Sequence, residues 1–379
     1  RGPAGQPEGE GAVPLASDVF SYGGTFLGLV AAPVYGALDK GPDGSRGGGR
    51  GALTHGVIYA ESVTLSVTLT AGALWADPVQ LKIGHVLTEG SSYHVAAATF
   101  AEELEKSGEF EVQIFPRGQL GGEVKMIQLA TVGALDVVVT GSAPVENTVP
   151  QMGLLAMPYL FDDLAQAEDV LRGPAGVHFL DYLSDKKLKG LTFISALERN
   201  VLTSQKEIVT PDDMDGLKIR VIQGPAFIET YKALGAQPTP MAYSELYLAM
   251  QSGVVDAAEA SPDTMIADKF VEVSKYYTLT KAQYMPALML MSGAKYNSLT
   301  DAQKEIVAAA SDKAAEAAFA TYNDSYKKSI DAMAGFGVTV KEVDAAPFAE
   351  KARAAWPALM SSIPGSEADL KVIQDAKGE

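Results

Sequence analysis

Twice between Gln80 and Glu259 the chain passes through short apolar strand, helix and strand, and this repetition commits it to a layered α/β architecture. In the first pass, residues 81–84 form a strand and residues 93–106 a helix closed by Gly108. Phe110, Val112 and Ile114 then alternate with Glu111 and Gln113, the period of a half-buried strand. A helix over 123–132 stops at Gly133, and the apolar run 136–140 is a strand covered on both faces. In the second pass, 217–221 is a strand, 225–234 a helix ending at Gly235, 243–252 another helix, and 254–259 again strand-like. LATVGALD (129–136) and AMQSGVVD (249–256) share a helix end, a glycine, two apolar residues and an aspartate. Two lobes of similar construction are expected, each with a mostly parallel sheet.

Thr300 opens a capping box with Gln303, and an alanine-rich helical pattern runs from Asp301 to about Ala334, before Gly335. At about 1.5 Å per residue such a helix is roughly 50 Å long, more than one lobe is wide. It is expected to span both lobes, the other reading being an exposed helix laid on one of them.

A length of 379 residues suits two lobes and a surplus, and 47% hydrophobic with 20% charged residues is a globular composition. The net charge of −17 argues against nucleic acid, which demands a basic footprint. A small anion is still admissible, because a few local cations hold it. There is no cysteine, so thiol nucleophiles, thiolate zinc sites and disulfides are all excluded.

The first 76 residues read differently from the rest. Residues 41–51 (GPDGSRGGGRG) are glycine-rich low complexity, and the loose GxGxxG/A match through Gly47, Gly49 and Ala52 lacks a preceding strand and a following helix. Residues 63–76 resemble the apolar region and small-residue cleavage site of a secretory signal ending at Ala76, a disordered leader being the alternative. No stretch reaches the roughly 18 to 20 apolar residues of a membrane-spanning helix.

Signatures of catalysis are sparse in the chain. His55, His85, His94 and His178 have no HExxH spacing, and neither a GxSxG elbow nor a GK[ST] phosphate loop occurs. Residues 212–216 (DDMDG) lack the ligand alternation of a calcium loop and read as a turn. Arg220 stands out. Leu217, Ile219 and Val221 share one strand face, leaving Arg220 on the other near the carboxyl end, where open α/β sheets bind ligands. Its guanidinium fork matches both oxygens of a carboxylate. A plain surface arginine is the alternative.

Several runs together carry a resemblance. GLKIRV (216–221), GAQPTPMAYSELYLAMQSGVVDAAE (235–259), PRGQLGGEVKMIQLATVGALDVVV (116–139), MPYLF (157–161) and EVSKYY (272–277) resemble the substrate-binding proteins of TRAP transporters, the DctP family, over about residues 80 to 375. The resemblance implies a two-lobed periplasmic-binding-protein-like α/β fold bridged by a long helix. It also implies a periplasmic, monomeric protein without a cofactor, which closes on a small organic acid and hands it to the small and large subunits of a membrane permease. Arg220 occupies the carboxylate-binding position and Tyr243 that of an aromatic packed on the ligand. Arg199 resembles a second family arginine, though its spacing to Thr203 and Ser204 is one residue longer than the pattern. After Glu259 the family often carries Asn, where this chain has Ala260, which removes an amide from the site. His85, Glu89, Glu123 and Ser142 are further candidates to line the cleft, capping or solvation being their alternative roles. Lobe I is expected over 77–197 and 287–325, and lobe II over 198–286 and 326–379. A binding protein of an ATP-driven importer or a chemoreceptor, and an enzyme acting on a sugar acid, remain the competing readings.

Overall fold

The computed structural model describes residues 77–378; the leader, the glycine-rich run and the cleavage site fall outside them. Lobe I opens with β1 (Val79–Gly84), α1 (Ser92–Glu105), β2 (Phe110–Phe115), α2 (Glu123–Thr131), β3 (Val137–Gly141) and α3 (Ser142–Glu146). Helices α4 (Leu164–Arg172) and α5 (Pro174–Asp181) lead into a long strand, β4 (Leu188–Thr203). Lobe II follows with β5 (Lys218–Val221), α6 (Pro225–Ala233), β6 (Gln237–Pro240), α7 (Tyr243–Gln251), β7 (Ala257–Ala260) and α8 (Pro262–Ala267). A second long strand, β8 (Tyr276–Ser292), returns through both lobes to α9 (Gly293–Ser298) and the 33-residue α10 (Asp301–Met333). The chain closes with β9 (Thr339–Glu342), α11 (Ala345–Ala352), α12 (Trp356–Ser362) and α13 (Ser366–Lys377).

The lobes are two halves of one sheet in the order β2-β1-β3-β8-β4-β7-β5-β6, with β9 on β8. Strands β1, β2 and β3 pair in parallel, as do β5, β6 and β7. Antiparallel β4 and β8 join the two sets and pair with each other from Leu188↔Ser292 to Thr203↔Tyr276. The expected parallel sheet in each lobe is thus present, but the strands that fuse them were not anticipated. Charged Glu198 and Arg199 in β4 and Lys281 in β8 interrupt what otherwise reads as apolar strand.

The register of this pair shifts at three points, most widely between Arg199 and Val201 near the end of β4. Arg199 faces Gln283 and Val201 faces Thr278, so Asn200 alone opposes the stretch 279–282. Asn200 fills the bulge, its Oδ1 accepting from Lys281 N at 2.9 Å and its Nδ2 donating to Glu198 Oε1 at 2.8 Å. Lys281 holds a positive φ of 48° at that point.

Helix α10 begins at the expected capping box, Thr300 Oγ1 accepting from Gln303 N at 3.2 Å. Its buried stripe, Val307, Ala310, Ala314, Ala318 and Tyr322, recurs every three or four residues, and the small side chains allow close approach. The helix lies along β4 and packs on α1 of lobe I and α8 of lobe II, and so bridges the lobes. Tyr326 donates to Glu198 Oε1 at 2.7 Å and Tyr322 accepts from Glu198 N at 2.9 Å, which fastens the helix beside the bulge. At the carboxyl end α13 packs on α4 and α5, where Asp369 accepts from Tyr182 at 2.9 Å and lies 2.8 Å from His178 Nε2. The largest core cluster follows the sheet through both lobes, and a second gathers Leu202, Leu246, Met265, Phe270 and Tyr277 within lobe II.

Candidate functional site

The parallel strands of each lobe end in residues that carry polar chemistry. In lobe I, β1 runs into His85 and β3 into Gly141 and Ser142, the start of α3. In lobe II, Arg220 lies near the end of β5, between β6 and β7, and Glu259 near the end of β7. Arg199 comes from the neighbouring β4, whose Val201 faces Glu259.

Arg220 is fully buried. Its Nε and Nη2 donate to Met241 O at 3.1 and 2.9 Å, its Nη1 to Glu259 Oε1 at 3.4 Å, and Cζ lies 6.0 Å from the centre of the Tyr243 ring. Arg199 donates through Nε to Glu259 Oε2 at 2.6 Å and through Nη2 to Glu259 O at 3.0 Å. The Glu259 carboxylate also accepts from Ile222 N at 2.8 Å. One carboxylate therefore clamps two guanidinia, and the trio keeps a net positive charge. Burial lowers the Arg220 value, Glu259 opposes it, and Arg199 adds to the lowering. For Arg199 burial acts in the same direction, but Glu259 outweighs it and holds the guanidinium above the ordinary arginine range.

Three further groups stand near these cations. Burial raises the Glu123 carboxyl above its ordinary value, while Gly141 N and Thr140 Oγ1, each 3.0 Å from Oε1, and then the two arginines resist. Burial likewise raises Asp263, opposed first by Ser261, whose Oγ is 2.5 Å from Oδ1. Burial raises the Tyr93 hydroxyl, which also feels Glu123, Arg199 and Asp263. Tyr93 was not anticipated from the sequence: at the head of α1 it reads as an ordinary helix residue, and only the fold brings it here. Tyr231 of α6 is a second missed residue. Its buried hydroxyl, like Ser142 Oγ, makes no hydrogen bond to a protein atom.

The structure distributes the other candidates differently. Tyr243 is held by its hydroxyl, which donates to Asp268 Oδ2 at 2.7 Å, and by an edge contact to Phe270, leaving its ring beside Arg220. Glu259 spends its carboxylate on protein donors and so positions the arginines. Ala260 places its methyl in the second core cluster and its carbonyl accepts from Tyr277 at 2.9 Å, so it offers the site no polar side chain. His85 is buried with Nε2 3.1 Å from His94 Nδ1; burial and then His94 lower it to about 4, so its ring is neutral at neutral pH. Glu89 does not join the cluster. It is exposed and paired with Arg117 at 2.8 Å, because the turn after β1 directs it to the surface.

Among the described residues no group of three or more His, Cys, Asp or Glu is arranged to hold a metal ion, and no helix is long and apolar enough to cross a membrane. What the cluster can do is bind an anion: buried, preorganised donors in fixed forks, flanked by carboxylates and hydroxyls suited to ligand OH groups.

Comparisons with known proteins agree with that chemistry. The DctP model, bacterial extracellular solute-binding protein family 7, matches residues 83–362. A solute-binding protein of Roseobacter denitrificans is 32% identical over 295 residues, 77% of this chain and 90% of its own. The 2,3-diketo-L-gulonate-binding periplasmic protein of Escherichia coli is 31% identical over 286 residues, 75% of this chain and 87% of its own. Among solved structures, a TRAP periplasmic solute-binding protein from Polaromonas, bound to D-erythronate, superposes with a TM-score of 0.76 at 32% identity, covering 79% of this chain and all of its own. Another from Sulfitobacter, with bound β-D-galacturonate, reaches 0.76 at 27% identity, covering 78% of this chain and 99% of its own.

Proposed function

The chain belongs to family 7 of the bacterial extracellular solute-binding proteins, and from that membership we propose that it captures a hydroxylated monocarboxylate between its lobes in the periplasm and delivers it to a TRAP-type permease. The observation that supports this most directly is the buried Arg199–Glu259–Arg220 trio, which keeps one positive charge in excess. A single carboxylate balances that charge. A second one would face Glu123 or Asp263, whereas hydroxyls would find acceptors there and partners in Ser142 and Tyr231. Erythronate and galacturonate, the ligands of the Polaromonas and Sulfitobacter proteins, are acids of this kind.

In this reading Arg220 holds the carboxylate and Tyr243 covers the carbon skeleton. Lobe closure follows from contacts to both halves, because a ligand favours the state in which it gains more of them. The protein carries its ligand without altering it, and handing over requires the permease's small and large subunits.

Isothermal calorimetry against D-erythronate, D-galacturonate, D-galactonate, L-malate and succinate tests the assignment. A hydroxylated monocarboxylate should bind at least about tenfold, or 1.4 kcal/mol, more tightly than either dicarboxylate. Preference for succinate or malate would sink the monocarboxylate reading. Recovery of chemically altered ligand after hours would overturn the carrier role. Uptake into vesicles bearing the permease, with and without this protein, tests delivery.

A further inference from the structure

Lobe I and lobe II also meet away from the arginines. Glu146, the last residue of α3, is buried at 4% exposure, and both carboxylate oxygens lie 3.1 Å from Ala226 N in the first turn of α6. Next to it, Asn147 Nδ2 donates to Gln223 O at 2.7 Å. A Cβ on Gly224 would come within 2.8 Å of Ala143, so the backbone entering α6 lies directly on α3. Helix α3 continues β3 of lobe I and α6 continues β5 of lobe II, so two polar links and one close backbone contact join the lobes here. Room for the carboxylate is made by Gly153, where a Cβ would overlap Glu146 Oε1.

We propose that Glu146 is a proton-sensitive latch between the lobes, holding α3 against α6 when protonated and loosening that junction when ionised. The charged form has little to compensate it. Elements packed on α3 carry few ionisable groups, and none bonds Glu146. Glu123 of α2 is engaged by Thr140 and Gly141, and Lys125 is exposed. Tyr284 of β8 donates to Glu198, Tyr277 to Ala260, and Tyr276 and Lys281 of the same strand form no bond to Glu146. Glu229 and Lys232 of α6 pair with each other, and Tyr231 is buried without a bond. Strand β3 and residues 150–156 have no ionisable side chain. Burial accordingly raises the Glu146 carboxyl to about 7, the Ala226 N–H opposing it.

The sign follows from linkage. The closed form binds the proton more tightly than a carboxyl in water, whose ordinary value is 4.5. Closure is therefore most favoured below that ordinary value, loses ground as pH rises towards about 7, and is level above it. If opening hydrates the group fully, the closed-to-open ratio changes by at most about 300-fold, a factor of ten for each pH step between 4.5 and about 7. Glu123 and Asp263, also raised by burial, act in the same direction, so a variant must isolate the share of Glu146.

The latch rests on lobes that open and close, but its test uses no ligand, so a wrong ligand assignment would leave it standing. The chain has no cysteine, so Gln128→Cys on α2 and Gln251→Cys on α7, both exposed, can carry spin labels, one on each lobe. Inter-label distances measured between pH 5 and 8 should shift from closed towards open as pH rises. In Glu146→Gln, which mimics the protonated form, that shift should shrink at least about threefold. A distance distribution in the parent that does not change with pH, or an undiminished shift in Glu146→Gln, would overturn the proposal. Glu146→Ala, which removes the link to Ala226, should be the more open form at pH 5; a closed distribution there would overturn it equally.

Discussion

Arg199 Nε lies 2.6 Å from Glu259 Oε2, across adjacent strands and with both side chains shut away from water. A pair so placed contributes little net stability against an apolar replacement, yet breaking it is costly because a buried charge loses its counterion. Its value is geometric: the same carboxylate reaches Arg220 and Ile222 N, fixing both guanidinia before any ligand arrives.

Glu259→Gln should therefore destabilise the protein more than an ordinary buried polar change, by about 3 kcal/mol in urea unfolding. An unchanged midpoint would mean that the arginines find another counterion.

Arg220→Lys keeps the charge but loses the fork that donates to Met241 and Glu259 together. Affinity for the best acid found by calorimetry should fall by about 2 kcal/mol, and Arg220→Ala should lose about 2–5 kcal/mol. Binding within threefold of the parent in the alanine variant would remove Arg220 from the site.

In the proposed reading, Glu123 is the group that would reject a second carboxylate. Glu123→Gln should narrow the preference for D-galacturonate over its diacid, galactarate, by about 1–3 kcal/mol. An unaltered ratio of the two dissociation constants would assign that discrimination elsewhere, Asp263 being next to test.

Tyr326→Phe deletes the 2.7 Å bond from α10 to Glu198 and leaves Tyr284 and Asn200 on that carboxylate. A hydrogen bond to a charged acceptor is worth about 1.5–3 kcal/mol, and the thermal midpoint should fall to match. No change would show that this bond contributes nothing to holding the helix.

Much of this was legible in the sequence where a local pattern decides it. The alternation of Leu217, Ile219 and Val221 put Arg220 on the opposite face of its strand, and Thr300 with Gln303 fixed the start of α10 to the residue. The joining strands were not legible. Glu198, Arg199 and Asn200 read as a polar interruption, and they are buried only because Tyr326, 128 residues away, and Glu259, 60 residues away, come to meet them. Tyr93 and Tyr231 were hidden for the same reason, since nothing local distinguishes a helix tyrosine brought close to Arg199 from any other core tyrosine. Glu89 shows the opposite limit: proximity in sequence to His85 did not decide that its turn would expose it and pair it with Arg117.

Because β4 and β8 run without a break from one lobe into the other, neither half can be excised as a self-sufficient body. A gene fragment encoding either one would leave two torn strands with unpaired edges, a template for aggregation. Recombination between relatives should therefore tolerate exchange of surface loops far better than exchange of whole lobes, since a transplanted lobe must bring its half of two shared threads in the right register.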